Sequence, residues 1–262
     1  KEDFIFTIPE EEEILSTALS EEIRHGIEAC LISVADDSLR PEYNGVTLRI
    51  LKTGMQLFST DNVTATRVEL KSKLAGRKEA ALVLPKPAAD LLLKLFAKDS
   101  KPKLTITEKL AVVDFGGAPN IMLITKLLGT PSGKLDVVFE AHASKLTPCE
   151  LPEGIEAEVE KALVLTARDG LRELFLMAAG GELTVSAGTA KSLGKMRSSL
   201  KLADKKLAGS ATVNPEHVKR ALPFADKFCL NDVRSLVFSD ESGAITHIIA
   251  VVPTAKVAED DS

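Results

Sequence analysis

Two short apolar stretches joined by a glycine turn decide how this chain folds: Val46-Thr47-Leu48-Arg49-Ile50-Leu51, then Lys52-Thr53-Gly54, then Met55-Gln56-Leu57-Phe58-Ser59. Strand-favouring residues fill both stretches, and a short glycine-containing turn between them is typical of a β-hairpin. The apolar residues 80–84 indicate another strand. A helix is predicted to begin at Pro85, because the first helical position tolerates the missing proline N–H. Strands are predicted again at 103–107, 111–115 and 121–127.

A helix is expected ahead of the hairpin. Apolar residues recur there at helical spacing, at Ile14, Leu15, Ala18, Leu19 and Ile23. Thr7 is a suitable N-cap, and the acidic run Glu10–Glu13 suits the positive end of the helix dipole. The first half therefore predicts the order helix, strands, helix, strands.

The same order returns in the second half of the chain. A helix is predicted at 153–167, followed by a hairpin of 171–177 with 182–187 that turns at Gly180-Gly181. A strand at 211–213, a second helix that begins at Asn214-Pro215, and two strands at 236–239 and 245–252 complete the predicted elements. A repeated order of elements is the mark of a duplicated structural unit.

Two alignments support the duplication. Met55-Gln56-Leu57 aligns with Leu183-Thr184-Val185, and Leu84-Pro85-Lys86 aligns with Val213-Asn214-Pro215. Turn-forming residues are frequent between Thr130 and Pro152, which places a boundary there. We therefore predict two similar α+β domains, residues 1–147 and 148–262, each with two helices packed on antiparallel sheets.

Composition limits the possible functions. The 262 residues are 45% hydrophobic and 27% charged, as in a globular protein, and the formal net charge of −5 argues against tight coating of nucleic acid. Neither a signal peptide nor an apolar run of about 20 residues is seen, so we expect a cytoplasmic protein without a membrane partner. Cys30, Cys149 and Cys229 are far apart in sequence and are expected to be reduced, mostly buried thiols.

Signals for catalysis are weak. The four histidines are scattered without metal-ligand spacing, and the glycines do not form a phosphate loop. Asp36-Asp37 is most simply a turn or cap, although clustered carboxylates can also hold a magnesium ion. We therefore expect no enzyme activity and no cofactor.

Several motifs follow one another along nearly the whole chain. They are Phe6-Thr7-Ile8-Pro9, Leu39-Arg40-Pro41-Glu42-Tyr43-Asn44-Gly45-Val46, Thr60-Asp61, Leu84-Pro85-Lys86 and Val251-Val252-Pro253. In this order they resemble motifs of the middle and last domains of the bacterial DNA polymerase III β clamp. The chain departs from the family at Asn62-Val63-Thr64-Ala65 and after Pro253. The family's first domain has no counterpart, so the chain is either a fragment or a divergent clamp, as from a phage.

The resemblance implies the DNA clamp fold, in which six domains form a ring that encloses duplex DNA. Three copies of a two-domain chain would supply six domains, so a homotrimer is expected, in the host cytoplasm if the source is viral. Basic residues would then face the DNA, namely Arg24 just after the first helix, Lys86, Lys94 and Lys98 on the second, and Lys219 and Arg220 on the fourth. The alternative is that these are ordinary solvated helix charges.

The resemblance also implies a pocket between the domains for clamp-binding peptides of a DNA polymerase and a clamp loader. Its residues would be Tyr43, Thr60, Asn62, Thr64, Ala65, Pro131, Val252, Pro253 and Thr254. Alternatively, Val252 and Pro253 end a core strand and Tyr43 caps an apolar edge. A non-ring interaction or assembly protein built on clamp domains is the competing function, because the pocket motif is altered and the chain is acidic.

Overall fold

The computed structural model describes residues 11–71, 76–97, 100–117, 121–129, 131, 135–143, 148–167, 172–188, 194–231 and 235–252. These residues form two units of the same topology, which follow one another along the chain.

The first unit has two four-stranded antiparallel arrays and two helices. Its elements are β1 (Leu15–Ala18), α1 (Glu21–Leu31), β2 (Gly45–Ile50), β3 (Met55–Thr60), β4 (Thr64–Glu69), β5 (Ala80–Pro85), α2 (Lys86–Leu95), β6 (Lys103–Ile106), β7 (Leu110–Gly116) and β8 (Ile121–Lys126). The strand orders are β5-β2-β3-β4 and β1-β6-β7-β8. Helix α1 packs on β2, β3 and β4, and α2 lies beside it.

A connecting helix, α3 (Leu135–Ala143), precedes the second unit. That unit contains β9 (Cys149–Glu150), α4 (Ile155–Thr166), β10 (Leu174–Ala179), β11 (Glu182–Gly188), β12 (Lys195–Lys201), β13 (Gly209–Val213), α5 (Pro215–Ala221), β14 (Lys227–Asn231), β15 (Ser235–Ser239) and β16 (Ile245–Ala250). The strand orders, β13-β10-β11-β12 and β9-β14-β15-β16, repeat those of the first unit.

Strand register repeats as well as strand order. Leu48 lies opposite Leu57 in the first unit, and Leu176 lies opposite Val185 in the second. With these pairs superposed, Leu57 coincides with Val185, as in the predicted alignment of Met55-Gln56-Leu57 with Leu183-Thr184-Val185. That alignment is thereby confirmed. Each unit has its own buried core, so the duplication extends to packing. The boundary at residues 147 and 148 stays a prediction, since 144–147 lie outside the described residues.

The two units are joined through their sheets. Strand β4 pairs with β16 in antiparallel register, from Thr64 opposite Ile249 to Val68 opposite Ile245. We call this pairing the seam. It merges one array of each unit into an eight-stranded sheet of order β5-β2-β3-β4-β16-β15-β14-β9. Backbone hydrogen bonds therefore cross from one unit to the other without interruption.

The helix predicted between residues 7 and 23 is wrong for residues 11–20. Residues 15–18 form β1, which pairs with β6, and the helix begins only at Glu21. Ser20 is the N-cap, and its Oγ accepts a hydrogen bond from the Ile23 N–H at 3.3 Å. Thr7 lies outside the described residues. Pairing with a distant strand thus outweighs a helical spacing of apolar residues.

The boundary segment and three strands also differ from the prediction. The turn-rich stretch between Thr130 and Pro152 contains α3 and β9. Pro85 was predicted to occupy the first position of a helix, but it ends β5 and is the N-cap of α2. Strands β4, β12 and β14 were not predicted. Strand β12 carries lysine and serine residues along a half-exposed edge, so it lacks the apolar pattern that marks a buried strand.

Candidate functional site at the seam

The turn between β3 and β4 brings together four of the predicted pocket residues, Thr60, Asn62, Thr64 and Ala65. Thr60 Oγ1 donates to the Thr64 carbonyl at 2.7 Å, and Asp61 Oδ1 accepts from the Thr64 N–H at 2.6 Å. Asn62 adopts a positive φ of 74°, a conformation that asparagine tolerates better than most residues. The motif is therefore a tightly bonded turn at the edge of the seam.

Of the remaining predicted pocket residues, Val252, Tyr43 and Pro131 lie within the described part of the chain. Val252 follows β16, and its N–H donates to the Thr212 carbonyl at 2.8 Å. Tyr43 is buried in a separate turn before β2, where its Oη accepts from Arg40 Nη1 at 2.9 Å. Pro131 is half-buried, and Pro253 and Thr254 lie outside the described residues. The pocket as a whole stays a prediction.

A buried aromatic residue that the sequence did not reveal lies at the same place. Phe139 of α3 packs against Phe58, Ala65, Val237 and Ile248, on the face of the eight-stranded sheet opposite α1. We call this the outer face of the sheet. Ala65 thus belongs both to the predicted pocket and to the surroundings of Phe139. The apolar run in residues 137–139 was the available signal, and the flanking turn formers concealed it.

The opposite, inner face of the seam is closed by buried polar groups. Ser33 Oγ lies 2.7 Å from Thr66 Oγ1, which lies 2.6 Å from His247 Nδ1. Burial lowers the pKa of His247 to about 3, so the imidazole is neutral at physiological pH. Beside it, a cavity of about 460 Å³ opens between α1 and the segment after α5, where the His25 and Phe224 rings are 5.4 Å apart.

Five of the six predicted DNA-facing residues, Arg24, Lys86, Lys94, Lys219 and Arg220, lie on two helix pairs, α1 with α2 and α4 with α5. Arg24 lies within α1 and pairs with Glu21 at 2.6 Å and Glu28 at 3.0 Å, whereas the sequence placed it just after a helix. Lys219 pairs with Glu160 at 3.0 Å. Lys86 pairs with Asp36 and lowers the pKa of that carboxyl, so this carboxylate already has a cationic partner.

Lys94 and Arg220 take part in no ion pair with a described residue, and Lys98 lies outside the described part of the chain. The four helices carry eight carboxylates, Glu21, Glu22, Glu28, Asp90, Glu156, Glu158, Glu160 and Glu216. They carry six basic side chains, Arg24, Lys86, Lys94, Lys161, Lys219 and Arg220. The helices are thus close to charge balance, with two cations outside the ion pairs, and their described residues form no strongly basic track.

Other kinds of site find little support in the described residues. No group of three or more His, Cys, Asp or Glu side chains in them is placed to hold a metal ion. The three cysteines are buried and are not joined in disulfides, as predicted, and burial raises the pKa of the Cys30 thiol. No helix of the described chain is long and apolar enough to cross a membrane.

The duplicated units, inner helices and continuous sheet together define the sliding-clamp fold. The DNA polymerase sliding clamp from Pseudomonas aeruginosa superposes with a TM-score of 0.83 at 14% identity, covering 96% of this chain and 69% of that one. A putative DNA polymerase III β subunit from Eubacterium rectale gives 0.79 at 17%, covering 96% and 69%. The β subunit from the DNA polymerase of Streptococcus pyogenes gives 0.79 at 14%, covering 95% and 69%.

No protein-family model and no curated protein matches the sequence. The predicted resemblance to the bacterial β clamp is therefore confirmed for the fold, by three-dimensional structure.

Proposed function

We propose that this chain is a DNA sliding clamp, a non-enzymatic processivity factor whose copies join head to tail into a ring around duplex DNA. One observation carries the proposal: the seam inside the chain can be repeated between chains. Strand β12 is the second unit's equivalent of β4, and β8 is the first unit's equivalent of β16. Within the described sheets, β8 and β12 are edge strands.

Both edges carry the exposed apolar surface that such a join would cover. On β8, Ile121 is 45% exposed and Met122 is 42% exposed. Beside β12, Val164 of α4 is 79% exposed and lies in an open apolar surface with Leu165 and Met196. Edge strands with exposed apolar residues favour association, and natural monomers usually protect them.

The seam also predicts the register of the join. Inside the chain, Val68 lies opposite Ile245 and Arg67 opposite Thr246. By the strand pairings of each unit, Val68 and Arg67 correspond to Ser198 and Arg197 on β12. In the same way, Ile245 and Thr246 correspond to Ile121 and Met122 on β8. Ser198 of one chain should therefore lie opposite Ile121 of the next. A head-to-tail interface of this kind gives a ring if the rotation closes.

Three chains would supply six units, so the proposed assembly is a homotrimer. An enclosed duplex cannot leave sideways, and retention then needs no strongly basic surface. That agrees with the near balance of charge on the helices. Arg24, Lys86, Lys94, Lys98, Lys219 and Arg220 are proposed to face the DNA. Clamp-binding peptides of a polymerase and a clamp loader are proposed to dock at the seam. The proposal also includes a phage origin and a cytoplasmic location.

Native mass and DNA topology test the proposal together. Light scattering should give three times the chain mass of 28.1 kDa. Protein loaded on nicked circular duplex should be retained in high salt and released when a restriction enzyme linearises the circle. A monomer at micromolar concentration, or equal retention on circular and linear DNA, would remove the proposal.

The helix charges favour one second candidate, a non-ring interaction or assembly protein on clamp domains. Eight carboxylates against six basic groups would suit a surface that contacts protein instead of DNA. This candidate predicts a monomer that does not increase the processivity of any DNA polymerase with which it associates. The light-scattering measurement therefore separates the two candidates.

A further inference from the structure

Helix α3 crosses the seam on the outer face of the sheet. At one end, Arg49 Nη1 of β2 donates to Asp136 Oδ1 at 2.7 Å. At the other end, His142 Nδ1 lies 3.0 Å from Ser235 Oγ of β15. Between them, Phe139 covers residues of both units. The helix thus connects the first unit to the second across β4 and β16.

Phe139 is the main anchor of this helix, beside the polar contacts at its two ends and the partly buried Val138. Phe139 is 1% exposed, whereas Val137 on the same helix is 62% exposed. Among residues 136–142 of α3, whose side chains the structure describes, Phe139 alone is buried. Nine residues are fewer than the roughly 12–15 that a helix needs to be stable alone in water. Helix α3 therefore depends on this surface for its structure.

The surface under α3 has a definite chemistry. Phe58, Ala65, Val237 and Ile248 form an apolar site that receives the Phe139 ring. Two guanidinium groups border it. Arg67 lies 5.0 Å from the centroid of the Phe139 ring, and Arg49 binds the Asp136 carboxylate. The site thus recognises an aromatic side chain with a carboxylate three residues before it, one helical turn away.

We propose that α3 is a built-in strap that occupies a peptide-binding site at the seam, and that a partner segment with an acidic residue three positions before an aromatic one displaces it. The inference deepens the proposed function, on which it rests for the existence of such partners, because Ala65 belongs to both the strap site and the predicted pocket. The apparent affinity of the site for a partner segment is then its intrinsic affinity multiplied by the fraction of molecules in which α3 is released.

The exchange is energetically accessible. A displacing segment restores the aromatic burial and the ion pair that α3 gives up on leaving, so the site is filled both before and after the exchange. Asp136 is 46% exposed, so its ion pair with Arg49 contributes less than the buried ring of Phe139. The hold of the strap therefore comes mainly from Phe139, and truncating that side chain should free the site.

The test uses the full chain and a fluorescein-labelled synthetic peptide covering residues 135–143 as the probe. Phe139→Ala should bind the probe at least about tenfold more tightly than the parent chain, measured by fluorescence anisotropy. The matched control Val137→Ala, a truncation at an exposed position of the same helix, should bind like the parent. A probe whose own phenylalanine is replaced by alanine should fail to bind either variant.

A folded Phe139→Ala chain that gains no affinity would overturn the strap. If that variant unfolds, Asp136→Lys carries the test, because it reverses the charge facing Arg49 while keeping the anchor. It should raise probe affinity, and no rise would overturn the inference. Light scattering on the parent chain separates the two proposals. If the chain is a monomer whose strap site binds the probe, the strap proposal stands and the clamp proposal is overturned. If the chain is a trimer whose strap site does not bind the probe, the clamp proposal stands and the strap proposal is overturned.

Discussion

Thr66 Oγ1 lies 2.6 Å from His247 Nδ1, across the strand pair that joins the two units. Thr66 is 0% exposed and His247 is 1% exposed, so this polar contact is sealed inside the seam. Ser33 Oγ extends it to the end of α1. The two units are therefore held together by a buried hydrogen-bonded chain as well as by strand pairing and apolar contact.

Acid should weaken the seam through His247. Its pKa is about 3 when folded, against 6.5 for an ordinary histidine, so the unfolded chain binds the proton first as pH falls. The stabilisation is complete above pH 6.5 and is lost between that pH and about 3, by about 1.4 kcal/mol per pH unit.

The variant His247→Asn keeps a hydrogen-bonding group near Thr66 and removes this titration. Urea unfolding of both chains between pH 7 and 4.5 should show a smaller pH dependence for the variant. Identical slopes would contradict the assignment. His217, whose pKa is also lowered by burial, is present in both chains and cancels in the comparison.

Cysteines placed across the proposed join should trap the ring. Ile121→Cys with Ser198→Cys puts two thiols at positions equivalent to Ile245 and Val68 of the seam. Mild oxidation should give covalent trimers on a non-reducing gel, with no larger species, since the three native cysteines are buried.

The control shifts the register by one residue. Met122→Cys with Ser198→Cys directs the thiols to opposite faces of the sheet, because side chains alternate along a strand. We expect no crosslink from it. Equal crosslinking of both pairs would show that β8 and β12 meet in another register or only by collision.

Gly45 should tolerate no side chain. A Cβ there would lie 2.2 Å from the Leu84 carbonyl oxygen, a backbone atom that cannot move aside. Gly45→Ala should therefore lower the free energy of unfolding by about 2–3 kcal/mol in urea titration. Gly54→Ala is the control, since no atom lies within 4 Å of its Cβ position and the change should be within about 0.5 kcal/mol. Similar losses at both glycines would contradict this packing.

Lys94 and Arg220 should contribute most of the direct DNA attraction, because they take part in no ion pair with a described residue. Replacing each by alanine should reduce the salt dependence of binding to circular duplex by about one in the log-log slope. Lys52→Ala, in the exposed β2–β3 turn, is the charge-matched control and should leave the slope unchanged. A larger effect at Lys52 would place the DNA elsewhere.

Local patterns predicted most of the elements. The two hairpins, α2, α4 and α5 agree closely with the prediction, because turn residues and apolar period act over a few neighbours. The first helix was wrong because Ile14, Leu15 and Leu19 satisfy a helical period while residues 15–18 pair with β6, about 90 positions away. Pairing at that distance leaves no local sign.

The site was predictable only in part for the same reason. The Thr60–Ala65 segment was predicted through the family resemblance, whereas Phe139 lies in a stretch whose turn formers suggested a boundary. Its partners come from β3, β4, β15 and β16, and no local window of sequence contains them.

Periodicity and turn chemistry repeat along the chain, so the use of one unit twice could be inferred from residue order alone. The three-dimensional fold was needed to show that β4 pairs with β16, that a neutral histidine closes the join, and that α3 covers its outer face. These features depend on which strand edges and side chains meet across the fold, and such meetings are set by burial and hydrogen bonding between distant residues.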